Sequence, residues 1–242
     1  MRVALAQTRP IKGDFLGNIE QHERFVNTAV SHHTDLIIFP ELSLTGYEPA
    51  LAKQLATHPD DGRLASLQTL SDAHQITIGV GLPTKSDGGI CIGLVLIRPF
   101  APRQTYAKKH LFPDEEPYFV SGENLPALTM KDTAVALAIC YELSVVGHAE
   151  QAFLAGADLY LASVAKSARG VENASKRLSG LAQKHAKFAM LVNGVGPSDN
   201  FVSAGNSSIW NPQGHLIAQL DNTNEGMIIF DPQKQVLIEK MM

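Results

Sequence analysis

Residues Thr133–Ile139 read Thr-Ala-Val-Ala-Leu-Ala-Ile, a run with no polar face. A strand wetted on one side alternates apolar and polar residues, whereas one covered on both sides does not. Comparable runs occur at 3–6, at 35–40, where Pro40 closes the run, and at 159–164. Between them lie stretches of helical period. Residues 17–33 place Ile19, Phe25, Val26, Ala29 and Val30 on one stripe, and residues 60–75 do the same with Leu64, Leu67 and Leu70. Further helices are expected at 144–156 and 172–187, and further strands at 76–82, 90–97, 105–108 and 188–195. After these the pattern turns to strands alone, at 207–210, 215–220 and 227–230. Strands buried on both faces and interleaved with helices call for a layered α/β sandwich with the helices outside. A chain of 242 residues without linker or repeat fits one domain, 1–242.

Charge excludes several partners. The net charge is −4 with no basic or acidic block, so bulk electrostatics draws the chain neither to nucleic acid nor to an anionic membrane. No apolar run approaches the ~20 residues that span a bilayer, and the N-terminus lacks the core of a signal peptide. The two cysteines, Cys91 and Cys140, form no metal-binding spacing and too few pairs for a secreted scaffold. A cytoplasmic protein without metal or organic cofactor is expected.

Three polar residues stand where strands end. Glu41 follows Phe39-Pro40, Lys108 follows the strand holding Tyr106, and Cys140 follows the run that ends at Ile139. Sites in α/β sheets gather at the carboxyl ends of strands. Singly, each residue reads as ordinary: a small buried thiol, a loop carboxylate, an exposed lysine. Together they have a chemical logic. A thiol that is mostly protonated at neutral pH becomes a nucleophile when a carboxylate takes its proton, and an ammonium can stabilise both thiolate and oxyanion. A cysteine–histidine pair is the usual alternative, but none of the nine histidines stands in a local setting that marks it as the base.

The stretch Phe39-Pro40-Glu41-Leu42-Ser43-Leu44-Thr45-Gly46-Tyr47 resembles the first signature of the nitrilase, or carbon–nitrogen hydrolase, superfamily. Tyr106-Ala107-Lys108-Lys109-His110-Leu111 is similar to the second, and Ala138-Ile139-Cys140-Tyr141-Glu142 to the third. They occur in the family's order, and Gly156-Ala157-Asp158 and residues 204–214 extend the likeness over nearly the whole chain. The resemblance implies a four-layer αββα sandwich with mixed sheets, Glu41 as general base, Lys108 as oxyanion stabiliser and Cys140 as nucleophile. It also implies a second glutamate in the loop 109–126. Glu115 fits by standing four residues before Phe119, with Glu116 as its rival. Tyr47, Tyr141, Glu142 and Lys166 are the substrate contacts to expect, and a homodimer is the assembly implied.

The expected function is hydrolysis of a small amide or carbamoyl compound through a thioester on Cys140. The chain ends soon after the strand at 227–230, which suggests a stand-alone enzyme acting on a free metabolite. Acyl transfer through the same thioester, a non-catalytic binding protein on this fold and a redox-sensing thiol are the competing readings. Where many family members carry an aromatic-Pro-Glu step after the cysteine, this chain has Val145-Val146-Gly147-His148. That segment shapes the pocket, so the substrate does not transfer from other members.

Overall fold

The computed structural model describes all 242 residues. The first half runs β1 (Val3–Gln7), α1 (Phe15–Ser31), β2 (Leu36–Ile38), α2 (Ala52–Leu55), α3 (Ala65–His74), β3 (Thr77–Ser86), β4 (Gly89–Ile97) and β5 (Gln104–Ala107). The second runs β6 (Leu128–Met130), β7 (Thr133–Ile139), α4 (His148–Leu154), β8 (Leu159–Val164), α5 (Ala168–His185), β9 (Phe188–Asn193), β10 (Val195–Ser198) and β11 (Phe201–Ala204). It finishes with β12 (Ser208–Trp210), β13 (Leu216–Gln219), β14 (Gly226–Asp231) and β15 (Val236–Met241).

Two mixed sheets result. One has the order β15-β14-β1-β2-β3-β4-β5, the other β13-β12-β9-β8-β7-β6, and β10-β11 is a separate hairpin. β1, β2 and β3 are mutually parallel, as are β7, β8 and β9. The continuous apolar runs are these parallel centres, covered by the other sheet on one face and by helices on the other.

The twofold period of a strand divides its side chains between two cores. From β1 and β2, Val3, Leu5, Leu36 and Ile38 point between the sheets, where they meet Leu137, Ile139, Leu161 and Val192. Ala4, Ala6 and Ile37 point outward against Phe15, Ile19, Phe25 and Val26 of α1 and Leu67 of α3. On the far side, Ala138 and Ala162 meet Ala149 of α4 and Val171, Ala174 and Leu178 of α5. Small alanines there let the helices sit close. The layers are therefore helix, sheet, sheet, helix, the expected αββα sandwich. Leu161 is wholly buried between the sheets, and its truncation to Ala costs about 2–5 kcal/mol.

Several expected elements differ in extent. The strand at 188–195 is two strands, because Asn193 turns its side chain into the neighbouring loops. The helix at 144–156 is only a 3₁₀ turn, Cys140–Ser144, followed by α4, since Gly147 at φ +96° breaks the path. α5 begins earlier than expected, at Ala168, capped by Ser167 Oγ on the Gly170 N–H. β6, the β10–β11 hairpin and β15 are additional.

Candidate active site

Glu41 leaves the end of β2 on a tight turn that rests on Gly81 of β3. A Cβ at Gly81 would stand 2.4 Å from the Leu42 nitrogen and 2.4 Å from the Pro40 oxygen, so only glycine allows this approach. The same turn is held by His22, whose Nε2 lies 2.9 Å from Ser43 Oγ and whose ring stacks on Phe39 at 3.8 Å. Burial drives the His22 pKa down to about 3, so the ring is a neutral strut. Ser163 Oγ donates to the Phe39 carbonyl at 2.8 Å, joining the end of β2 to β8 across the sheet interface.

Lys108 follows β5 and has no exposed side-chain surface. Its Nζ donates to Glu41 Oε1 at 2.7 Å and to Glu115 Oε1 at 2.7 Å. Burial disfavours the ammonium, but the carboxylates of Glu41 and Glu115 outweigh it and hold its pKa above the ordinary lysine value. Glu41 is pulled both ways. Burial raises its pKa, Lys108 lowers it and Glu115 raises it, with a net upward result. Its Oε2 accepts the Ala165 N–H at 3.2 Å.

Glu115 is buried and fully engaged. Besides Lys108, its Oε1 accepts the Tyr47 hydroxyl at 2.8 Å, and Oε2 accepts the Phe112 N–H at 2.8 Å. Glu116 is exposed. The geometry thus places Glu115, and not its neighbour, beside Lys108. Burial and the nearby carboxylates push the Tyr47 phenol far above its ordinary pKa, so it serves only as a donor.

Cys140 begins the 3₁₀ turn after β7 with φ +44°, a left-handed conformation that costs a non-glycine residue roughly 1–3 kcal/mol. Its Sγ points to the Ala165 carbonyl at 3.8 Å. The peptide group on one side of Ala165 thus contacts the Glu41 carboxylate and that on the other side contacts the thiol. Burial pushes the thiol up to about 11, Glu41 adds to the shift, and Lys166 and Lys108 oppose it. The resting sulfur is a thiol at neutral pH. Cys91 is likewise a free thiol, buried in β4.

A cavity of about 520 Å³ opens above these groups. Cys140, Glu115, Tyr47, Tyr141 and Lys166 line it, with Phe112, Tyr118 and Phe201 as aromatic walls and Arg177 reaching in from α5. Glu142, expected as a substrate contact, does not line the cavity. It is wholly buried, with Oε1 on the Lys109 N–H at 2.7 Å and Oε2 on both the Tyr106 hydroxyl and the Ile139 N–H at 2.8 Å. Its carboxylate faces backward, under the cysteine turn. Sequence reasoning misses Asn193, whose side chain clamps the Lys166 backbone from both sides (2.9 and 3.0 Å), and Arg177. Nothing local marks either, since each reaches the site only through packing of a remote element.

No helix is long and apolar enough to cross a membrane. The chain is 26% identical to an (R)-stereoselective amidase of a Pseudomonas species over 90% of this chain and 80% of that protein. It is 26% identical to a probable nitrilase of Schizosaccharomyces pombe over 94% of this chain and 87% of that one. The solved amidase of Nesterenkonia sp. AN1 superposes with a TM-score of 0.84 at 23% identity, covering 96% of this chain and 92% of that one; its active-site cysteine is modified there by acrylamide. The carbon–nitrogen hydrolase family matches residues 2–239. On that match the chain belongs to the carbon–nitrogen hydrolase family, the nitrilase superfamily, and is an amidase-like hydrolase of carbon–nitrogen bonds.

Proposed function

We propose that the protein hydrolyses a small primary amide through a thioester on Cys140, with Glu41 and Lys108 completing a catalytic triad and Glu115 supporting it. The observation that carries this reading is the Lys108 ammonium held 2.7 Å from both Glu41 and Glu115 beside a cavity that the Cys140 thiol lines. Glu41 takes the thiol proton as Sγ attacks the amide carbon. Its raised proton affinity suits that transfer, since a base and a thiol of distant pKa exchange protons poorly. The oxyanion is met by the Lys108 ammonium and the backbone N–H of Tyr141, and one such donor contributes roughly 3 kcal/mol in a water-poor site. Glu41 then protonates the leaving nitrogen, the C–N bond breaks and ammonia departs. Water, deprotonated by Glu41, attacks the thioester, the acid is released and the proton returns to Sγ. No step uses a metal or organic cofactor.

The reading includes residues 1–242 as one catalytic domain. A cytoplasmic setting is supported by the two free thiols. A homodimer is supported by Val146 and Leu154, apolar residues beside and on α4 that are 88% and 86% exposed. The test is incubation with a panel of ω-amides, carbamoylated amines and nitriles, reading released ammonia and the intact mass of the protein. A transient acyl adduct that maps to Cys140 and is absent from Cys140→Ala supports the reading. Ammonia release that survives Cys140→Ala would remove it.

A further inference from the structure

We propose that the cavity selects amides whose acyl part ends in a carboxylate, held by Arg177 and Lys166; this rests on the amidase reading above. Both cations line the cavity, and neither is paired with a carboxylate. Every other residue of α5 that faces the cavity, Gly170, Asn173 and Ala174, is small or neutral, on the same stripe as Arg177.

Arg177 is half spent. Its Nη2 donates to the Val145 carbonyl at 3.1 Å, while Nε is buried without an acceptor. Nε has no exposed surface, so its unmatched donor is a cost borne by the fold and is not itself open to a ligand. The terminal guanidinium N–H groups not used by Val145 are the ones left for a ligand in the cavity, and the group stays charged at any working pH. The Val145 contact fixes the plane of the guanidinium before any ligand arrives. The Val145–Val146–Gly147 segment that supplies this carbonyl is where the chain departs from the aromatic-Pro-Glu step of other members.

Lys166 is positioned differently. Its backbone is clamped by Asn193 and by the Ala204 N–H at 2.9 Å, so the start of its side chain is fixed at the end of β8. Its Nζ makes no hydrogen bond or ion pair with the protein, and its charge is felt at Cys140. The N-terminus of α5 adds a favourable dipole on the same wall.

Beyond Glu115, which is spent on Lys108, two further carboxylates, Asp114 and Asp199, line the cavity. They are exposed, whereas Lys166 and Arg177 are half-buried. Water screens the acids more than the cations, so the inner wall reads positive. With ammonia as the leaving group, the whole cavity is left for the acyl part, whose aliphatic middle would pass between Tyr47, Tyr141 and Phe201. The product would be a dicarboxylate.

The test is binding to folded Cys140→Ala, which does not depend on turnover. Calorimetry compares succinamate, glutaramate and adipamate with the neutral amides of matching length and with 5-aminopentanamide. At the best chain length the anionic amide is expected to bind about tenfold or more tighter than its neutral match. That ratio falls to about threefold or less when Arg177→Gln is added, with Arg177→Lys intermediate because it keeps the charge but loses the planar set of donors. Lys166→Gln lowers the same ratio and serves where Arg177→Gln fails to fold. Equal binding of anionic and neutral amides, no binding of the anionic series, or preference for the aminoamide overturns the proposal. Loss of the amidase reading is seen separately, as the absence of ammonia release from every amide by the unaltered enzyme.

Discussion

The Tyr106 hydroxyl donates to Glu142 Oε2 at 2.8 Å, tying the strand that leads to Lys108 to the turn that carries Cys140. The two residues lie 36 positions apart, Tyr106 in β5 of one sheet and Glu142 in the turn that follows β7 of the other. Glu142 also takes the Lys109 and Ile139 N–H groups, so one buried carboxylate fixes the backbone just after Lys108 and just before Cys140. His148, whose Nδ1 meets the Tyr160 hydroxyl at 2.9 Å, places its Nε2 3.1 Å from Tyr106 and closes the network from α4. Burial lowers the His148 pKa, which keeps the ring neutral beside Tyr106.

Glu142→Gln keeps the size but turns an NH₂ toward donors on at least one side. Leaving a buried donor unmatched costs roughly 1–3 kcal/mol, so thermal unfolding should shift down accordingly. If the network sets the spacing of Lys108 and Cys140, kcat falls about tenfold or more while KM moves less, since misplaced groups lose transition-state contacts first. Tyr106→Phe removes one neutral partner and should cost about 1 kcal/mol. A stable Glu142→Gln with full kcat would show that the network holds the fold and not the site.

Glu115→Gln should lower kcat on the order of 100-fold, because Lys108 then loses one of its two charged partners and Tyr47 faces an altered acceptor. Glu116→Gln, at an exposed position, should stay within about twofold. Steady-state kinetics of the two variants, side by side, checks the assignment, and equal losses would contradict it.

The strand ends were the readable part of the site. Glu41 and Cys140 follow apolar runs and Lys108 follows a short strand with Tyr106 as its buried residue, so their place at carboxyl edges follows from the chain itself. Glu142 misleads because adjacence to Cys140 does not say which way a side chain turns after a residue at φ +44°. Arg177 is invisible for another reason: its entry into the cavity depends on how α5 packs. β15 escapes notice because nearly all its side chains are exposed and only its backbone pairing with β14 makes it a strand. The β10–β11 hairpin carries Gly196 and Pro197, residues that read as a turn. Pattern reveals burial well, but a strand held by hydrogen bonds alone leaves little pattern.

Gly81→Ala should damage the site from outside it. The new methyl would press on backbone at Pro40 and Leu42, neither of which can swing aside as a side chain would. Overpacking of this kind costs about 1–3 kcal/mol, and a turn displaced by about 1 Å can lower kcat some 100-fold. Gly79, one turn of the pleat away, faces the flexible Ile38 Cδ1 instead, so Gly79→Ala should lose stability but little kcat. Circular-dichroism melts with kinetics on both variants distinguish the two effects.

The Cys140 thiol should make stability fall at alkaline pH. Its ordinary pKa of 9.0 is raised to about 11 in the folded protein. Below pH 9 both folded and unfolded chains hold the proton, and the full contribution is present. Between 9 and 11 the folded state binds more protons, so stability declines and is lost as pH rises through 11. The difference amounts to about 3 kcal/mol. Chemical unfolding of the unaltered protein and Cys140→Ala at pH 8 and pH 11.5 should show that extra loss only where the thiol is present. The rate of alkylation by iodoacetamide should likewise keep climbing toward pH 11, following the thiolate fraction. A rate that is already level by pH 8 would mean a stable thiolate–ammonium pair, and Glu41 would then have no thiol proton to take.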